Sequence, residues 1–267
     1  MPYRPLASEA GFVHICAHRG HSIGAPENTL PALTEAARLG ATVCEIDIVL
    51  TADDEIVLLH DEILDRTTNG KGRVSSYNLA DIKALDAGSW FDPRFAGVRP
   101  PTLGEALETA KAHGLALLVE IKERQRPDVM IERLGAVLKA QNAVDDVLVI
   151  SFDHPSLVRA RERIPGLRTE IITHARHVDP VAIAHNVGAT SVAIEWDMFH
   201  PDDARALHDA GIATRVTIPR PDRIAFRANY GLDLTQSITA ALRLGLIDVL
   251  AGDDTVAVRN LTVAAKT

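Results

Sequence analysis

The chain has 267 residues, 46% of them hydrophobic and 24% charged, which supplies a large packed core and excludes a disordered chain. Its formal net charge of -8 would repel a phosphate backbone, and no run of Lys or Arg offers a footprint for nucleic acid. The start, MPYRPLASEAGFVHICAHRG, lacks the parts of a signal peptide and no segment approaches about 18 uninterrupted apolar residues, so a soluble, cytoplasmic protein without membrane insertion is expected.

Short β-branched runs alternate with longer stretches of helical period, the pattern of a parallel sheet wrapped by helices. The runs are 13–17, 43–48, 115–121, 147–151, 168–173, 190–194, 212–217 and 246–251. Helices are expected at about 28–39, 102–113, 127–141, 154–163, 178–186, 201–210 and 235–244, several opened by a cap or a proline. A single (β/α)8 TIM barrel fits better than an open doubly wound sheet, because no Gly-rich phosphate loop follows the first run. One domain over 1–267 is expected, with the turn-rich stretch 61–101 after the second strand forming a small insertion lobe beside the mouth. A second long stretch, 218–245, follows the seventh run and suits a lid or a specificity loop. Cys16 and Cys44 each sit in an apolar run and read as buried free thiols.

In barrel enzymes the reacting groups stand at the carboxyl ends of strands, which isolates a short set of polar residues. Run one ends in Ala17-His18-Arg19-Gly20, run two carries Glu45-Ile46-Asp47, and run three ends in Glu120-Ile121-Lys122. The i, i+2 spacing puts Glu45 with Asp47, and Glu120 with Lys122, on the inward face of their strands. Burying three carboxylates beside a lysine is costly unless a cation joins them, and oxygen donors without cysteine suit Mg2+ or Ca2+. The alternative is a structural Glu and Lys network closing the barrel.

Residues 47–60 alternate around a polar turn, which predicts a hairpin. With its centre between Asp53 and Asp54, His60 would lie opposite Asp47, returning an imidazole to the carboxylates. His18, at the end of the neighbouring strand, would be its counterpart. Two imidazoles can divide acid and base duties near neutral pH, while Arg19 and Lys122 offer positive charge to a phosphoryl group. This is a kit for cleaving a small phosphodiester.

The ordered motifs His18-Arg19-Gly20, Ala25-Pro26-Glu27-Asn28-Thr29, Glu45-Ile46-Asp47, His60-Asp61, Arg66-Thr67-Thr68-Asn69-Gly70, Ala87-Gly88-Ser89-Trp90-Phe91, Pro101-Thr102-Leu103 and Glu120-Ile121-Lys122 resemble the glycerophosphodiester phosphodiesterase family. The likeness is dense over 14–122 and thins afterwards, with Ser151-Phe152 a later point of similarity. It implies Glu45, Asp47 and Glu120 as ligands of a divalent cation, His18 and His60 as the acid/base pair, and Arg19 and Lys122 near the phosphate. Glu27 and Asn28, at the opening of the first helix, take a supporting or ligand-contacting role; for Glu27 the alternative is stabilisation of the helix dipole. The implied reaction is hydrolysis of a glycerophosphodiester to sn-glycerol 3-phosphate and an alcohol.

The sequence departs from the family pattern at Thr214-Arg215-Val216-Thr217-Ile218-Pro219, and at Ala251-Gly252-Asp253. Arg215 in place of an apolar wall suggests recognition of an extra anionic or hydroxyl-rich group, so a sugar phosphodiester is a second candidate substrate, with Trp196 stacking on the sugar or serving as a structural tryptophan. A cyclising lysophospholipase D-like lyase is a third reading, although no apolar stripe for a lipid tail is visible in the sequence. An inactive metal- or phosphate-binding barrel is the non-enzymatic alternative, against which stands the retention of two proton-transfer groups.

Overall fold

A computed structural model describes residues 2–266. Its strands are β1 (His14–His18), β2 (Val43–Leu50), β3 (Ile56–Leu58), β4 (Ala116–Ile121), β5 (Val147–Ser151), β6 (Thr169–Thr173), β7 (Ser191–Glu195), β8 (Ala213–Thr217) and β9 (Val249–Gly252). Its helices are α1 (Ala7–Ala10), α2 (Leu30–Arg38), α3 (Leu79–Ala84), α4 (Leu103–His113), α5 (Pro127–Ala140), α6 (His154–Arg163), α7 (Pro180–Val187), α8 (Pro201–Asp209), α9 (Pro221–Ala228), α10 (Leu234–Arg243) and α11 (Thr255–Ala264). Eight strands pair in parallel in the order β1, β9, β8, β7, β6, β5, β4, β2, and β1 pairs with β2 to close a TIM barrel. None of the described helices is long and apolar enough to cross a membrane.

Local chemistry explains the element ends. Thr102 and Glu105 form a reciprocal capping box that opens α4, and Gly114 closes the helix in the left-handed region at φ 68°. Proline stands in the first turn of α5, α6, α7, α8 and α9, where no helical N–H is lost. Along β2, Ile46, Ile48 and Leu50 face the helices in the main core, while the alternate positions face inward. The interior itself is apolar below, where Cys16, Val43, Leu118, Leu148, Val249 and Tyr3 pack together, and charged above.

The insertion after β2 begins with the hairpin partner β3 and continues through α3, packing Leu59, Leu64, Val74 and Ile82 against Val49 and Val57. Its register differs by one residue from the expected one. Ile48 pairs with Leu58 and Leu50 with Ile56, so the hairpin centres on Asp53 and not between Asp53 and Asp54. Leu59, not His60, donates its N–H to the Asp47 carbonyl at 3.1 Å. The cause is the turn. Thr51 Oγ1 donates to Asp53 and accepts the Glu55 N–H, while Asp54 takes a left-handed φ of 61°. Helix α2 likewise begins two residues later than expected, behind the N-cap Thr29, which leaves Glu27 and Asn28 in the loop and removes the helix-dipole explanation of Glu27. Helices α1, α3, α9 and α11 lie outside the seven that periodicity predicts.

Arg215 also departs from expectation. It does not offer a free guanidinium to the mouth, because it is buried inside the barrel with Nε donating to Glu170 at 2.8 Å. The other Glu170 oxygen accepts from Ser191 at 2.6 Å. Removing one partner of a buried pair strands the other charge at a cost of about 3–5 kcal/mol. Arg215→Met is therefore expected to lose stability on that order in chemical denaturation, and adding Glu170→Leu to recover much of it. A single variant as stable as the parent would show that the pair carries no net weight.

Candidate active site

Register alone assembles the site. His18 on β1 lies beside Glu45 on β2, and Asp47 on β2 lies beside Glu120 on β4. Glu45, Asp47 and Glu120 are all buried, and each offers a carboxylate oxygen within 4.8 Å of the others. Burial and the neighbouring Asp47 push the Glu45 carboxyl up to about 7. Asp47 is also penalised by burial, yet the Arg19 and Lys122 charges outweigh this and hold it below the usual carboxylate range.

The surroundings hold these oxygens without saturating them. Asn28 is buried at a φ of 55°, where its amide donates to Asp47 Oδ2 at 2.8 Å and its carbonyl accepts the Asp47 N–H at 3.0 Å. Arg19, at φ 58°, donates its backbone N–H to Glu45 Oε2 at 3.0 Å and lays Nε 3.3 Å from Asp47. Gly20 follows at φ 78°, and a Cβ there would stand 2.7 Å from Ala32 of α2, so only glycine lets this loop seat. Lys122 Nζ lies 2.8 Å from Glu120 and 3.4 Å from Asp47. Glu45 Oε1 and Asp47 Oδ1 are buried with no hydrogen-bond partner. Glu45 Oε1, which has no partner, and Asp47 Oδ1, which has only the Lys122 ammonium 3.4 Å away, leave acceptor capacity in an all-oxygen cluster that fits a hard divalent cation.

The two histidines stand above this cluster with about 28% and 29% of their side chains exposed, accessible to substrate and still held. His18 Nδ1 lies 2.6 Å from Asp253 and its Nε2 is 3.8 Å from Glu45. Burial alone would lower the His18 pKa, but Asp253 and Glu45 outweigh it and leave it raised. His60 Nδ1 lies 2.7 Å from Asp61, whose second oxygen accepts Arg66 Nε at 2.6 Å. Arg66 in turn chelates Glu27 at 2.7 and 2.8 Å, and Glu27 also accepts Arg19 at 3.0 Å. One chain of ion pairs therefore runs from His60 back to Asp47, and His60 acts on the Asp47 charge.

Nine of the expected residues thus converge: His18, Arg19, Glu27, Asn28, Glu45, Asp47, His60, Glu120 and Lys122. Arg215 is committed to Glu170, and Trp196 stands half-buried after β7 with its ring stacked on Phe199 at 5.2 Å.

The model of the glycerophosphoryl diester phosphodiesterase family matches residues 18–233, a span that takes in both histidines, the three carboxylates and Lys122. The chain belongs to this family. That places it among the phosphoric diester hydrolases. It is 38% identical to the glycerophosphodiester phosphodiesterase of Caldanaerobacter subterraneus over 67% of this chain and 74% of that one. It is 36% identical to the Bacillus subtilis enzyme of the same name over 61% of this chain and 60% of that one. Among solved structures, a phosphodiesterase of Oleispira antarctica in complex with the product sn-glycerol-3-phosphate superposes with a TM-score of 0.81 at 27% identity, covering 95% of this chain and 98% of that one.

Sequence reasoning assigned no role to Asp61, Arg66, Asp253 or Arg220. Asp253 was legible by the rule that found the carboxylates, since Val249, Ala251 and Asp253 share the inward period of β9. Its partner Arg220 lies in the segment after β8, 33 residues away, and no local pattern links them.

Proposed function

We propose that this chain is a metal-dependent glycerophosphodiester phosphodiesterase, yielding sn-glycerol 3-phosphate and an alcohol, with residues 1–267 acting as one barrel domain and 61–101 as a lobe beside its mouth. Glu45, Asp47 and Glu120 would hold Mg2+ or Ca2+, which when bound would draw charge from the phosphoryl oxygens. The observation carrying the reading is the pairing of two histidines, each fixed through Nδ1 by an aspartate, with a buried triad that retains oxygens accepting no hydrogen bond.

Fixing Nδ1 leaves Nε2 of each imidazole for proton transfer. One histidine takes the proton of the attacking oxygen, and the other protonates the alcohol oxygen as its bond to phosphorus breaks. Arg19 and Lys122 add positive charge beside the diester. The product named in the Oleispira structure is what this cleavage would give on the glycerol side.

The test is product release from glycerophosphocholine with Mg2+, Ca2+ or EDTA. Glycerol 3-phosphate and choline appearing only with a cation supports the reading, and a cyclic phosphate appearing first would identify the substrate's own hydroxyl as the attacking group. Equal turnover in EDTA would sink the metal dependence.

A further inference from the structure

Both imidazoles of the site are backed in the same way. Asp61 Oδ1 lies 2.7 Å from His60 Nδ1, and Asp253 Oδ1 lies 2.6 Å from His18 Nδ1. The second oxygen of each aspartate accepts from the Nε of an arginine, Arg66 at 2.6 Å and Arg220 at 2.5 Å. Neither arginine belongs to a barrel strand. Arg66 comes from the insertion after β2 and Arg220 is the N-cap of α9, so two separate excursions of the chain return to the mouth to build the same His-Asp-Arg arrangement.

A carboxylate bonded through one oxygen can still turn about its terminal torsion, which is broad and roughly two-fold. A guanidinium on the other oxygen limits that turn, because its N–H groups are fixed in one plane. The same contact keeps the acceptor charged. Partial burial alone would raise both aspartates, yet Arg66 and His60 hold Asp61 at about 2, and His18 and Arg220 hold Asp253 at about 2. An ionised acceptor keeps the imidazole proton on Nδ1. The two arginines are anchored to different degrees. Arg66 also takes both oxygens of Glu27, at 2.7 and 2.8 Å, and its side chain is 42% exposed. Arg220 has Asp253 as its one ion-pair partner among the described residues and is 63% exposed, although Arg227 ties the far end of α9 to Asp197. A single, more exposed pair holds its partner more loosely.

We infer that Arg66 and Arg220 are positioning residues, each aligning one histidine through its aspartate, so that the insertion lobe and α9 complete the active site. This rests on the two-histidine diester reading above. Proton transfer depends on where Nε2 points, and a reacting group misplaced by about 1 Å can cost on the order of 100-fold. Among the described residues Asp61 pairs only with His60 and Arg66, and Asp253 only with His18 and Arg220. Each second oxygen therefore loses its ion pair with its arginine.

The experiment compares the parent protein with Arg66→Ala, Arg66→Lys, Arg220→Ala and Arg220→Lys on glycerophosphocholine at saturating Mg2+, with melting temperatures to match folding. The kcat is expected to fall roughly 10–100-fold in Arg66→Ala and about 5–10-fold in Arg220→Ala, with KM within about threefold, and lysine should restore little of it. Guanidinium chloride at about 20 mM should recover part of the lost kcat in the alanine variants alone. Adding Asp61→Asn to Arg66→Ala, or Asp253→Asn to Arg220→Ala, should cost no more than the aspartate change by itself, whereas the losses of the two arginine changes should multiply. Nitrogen NMR of the imidazoles needs no turnover. It should show a proton on Nδ1 of both histidines in the parent, lost in part from His60 in Arg66→Ala and from His18 in Arg220→Ala. Parental kcat in both alanine variants, or full recovery with lysine, overturns the inference. Turnover of glycerophosphocholine by the parent, with imidazole spectra unchanged in the variants and no rescue by guanidinium, overturns the positioning and leaves the diester reading intact. Spectra that change as expected in variants of a parent that turns over no diester sustain the positioning and fault that reading.

Discussion

His60→Ala is expected to lose about 10²–10⁴-fold in kcat toward a glycerophosphodiester, the range a positioned proton-transfer group supplies, and His18→Ala to do the same. Neither change touches a carboxylate of the triad, so calorimetric affinity for Mg2+ or Ca2+ should stay within about threefold. Asp61→Asn leaves the imidazole present but weakens its 2.7 Å orienting bond and the link to Arg66. A smaller loss, on the order of 10–100-fold, is expected from that kind of second partner. Steady-state kinetics on glycerophosphocholine at saturating metal decide the matter. A His60→Ala enzyme keeping a tenth or more of its kcat would remove the two-histidine mechanism, and an unchanged kcat in Asp61→Asn would show that Nδ1 fixation is incidental. Loss of metal binding with the histidine would mean that His60 serves the cation rather than the proton.

What the sequence made visible follows from range. The eight strands of the barrel are short, β-branched and buried on both faces, so they stand out against amphipathic helices. The carboxylates could be placed because strand period is two and register in a closed parallel barrel brings neighbouring strand ends level: Glu45, Asp47 and Glu120 need only that. The hairpin missed by one residue because its turn, Thr51 to Glu55, is held by a threonine side chain, and no alternation of apolar and polar residues encodes that. Arg215 read as a mouth residue because its partner Glu170 lies two strands away, 45 residues back in the chain. Helix α11 is rich in Thr and Val, poor helix formers, and is opened instead by Asp254, whose side chain accepts from Val256 and Ala257. Helix α9 was hidden because only Ile224 of its apolar residues packs on the core, while Phe226 faces water, so no periodic buried face marks it.

Glu45→Gln is expected to stabilise the metal-free protein while weakening cation binding by 100-fold or more, a pairing that a purely structural carboxylate would not give. The buried triad sets like charges within 4.8 Å of one another, and two of its oxygens accept no hydrogen bond. In the metal-free state Glu45 responds by holding its proton up to about 7. Because its folded pKa lies above the unfolded one, its contribution to stability is fully present below the ordinary carboxylate range and is lost as pH rises through about 7. The melting temperature of the metal-free parent should therefore fall between roughly pH 5 and pH 8 by several degrees, and the glutamine variant should lack that part of the slope. Adding a cation at about 100 times its Kd should raise parent stability by about 2.7 kcal/mol, or roughly 5–10 °C for a chain of this size, and leave the variant nearly unmoved. Scanning calorimetry at three pH values with EDTA or saturating Mg2+ separates these terms. If the parent gains nothing from either metal, the triad is a charged network that closes the barrel; if it gains and Glu45→Gln gains equally, Asp47 and Glu120 hold the cation without Glu45. Stabilisation of the parent alone would mean that the strain built into this cluster is relieved by the ion it was assembled to bind.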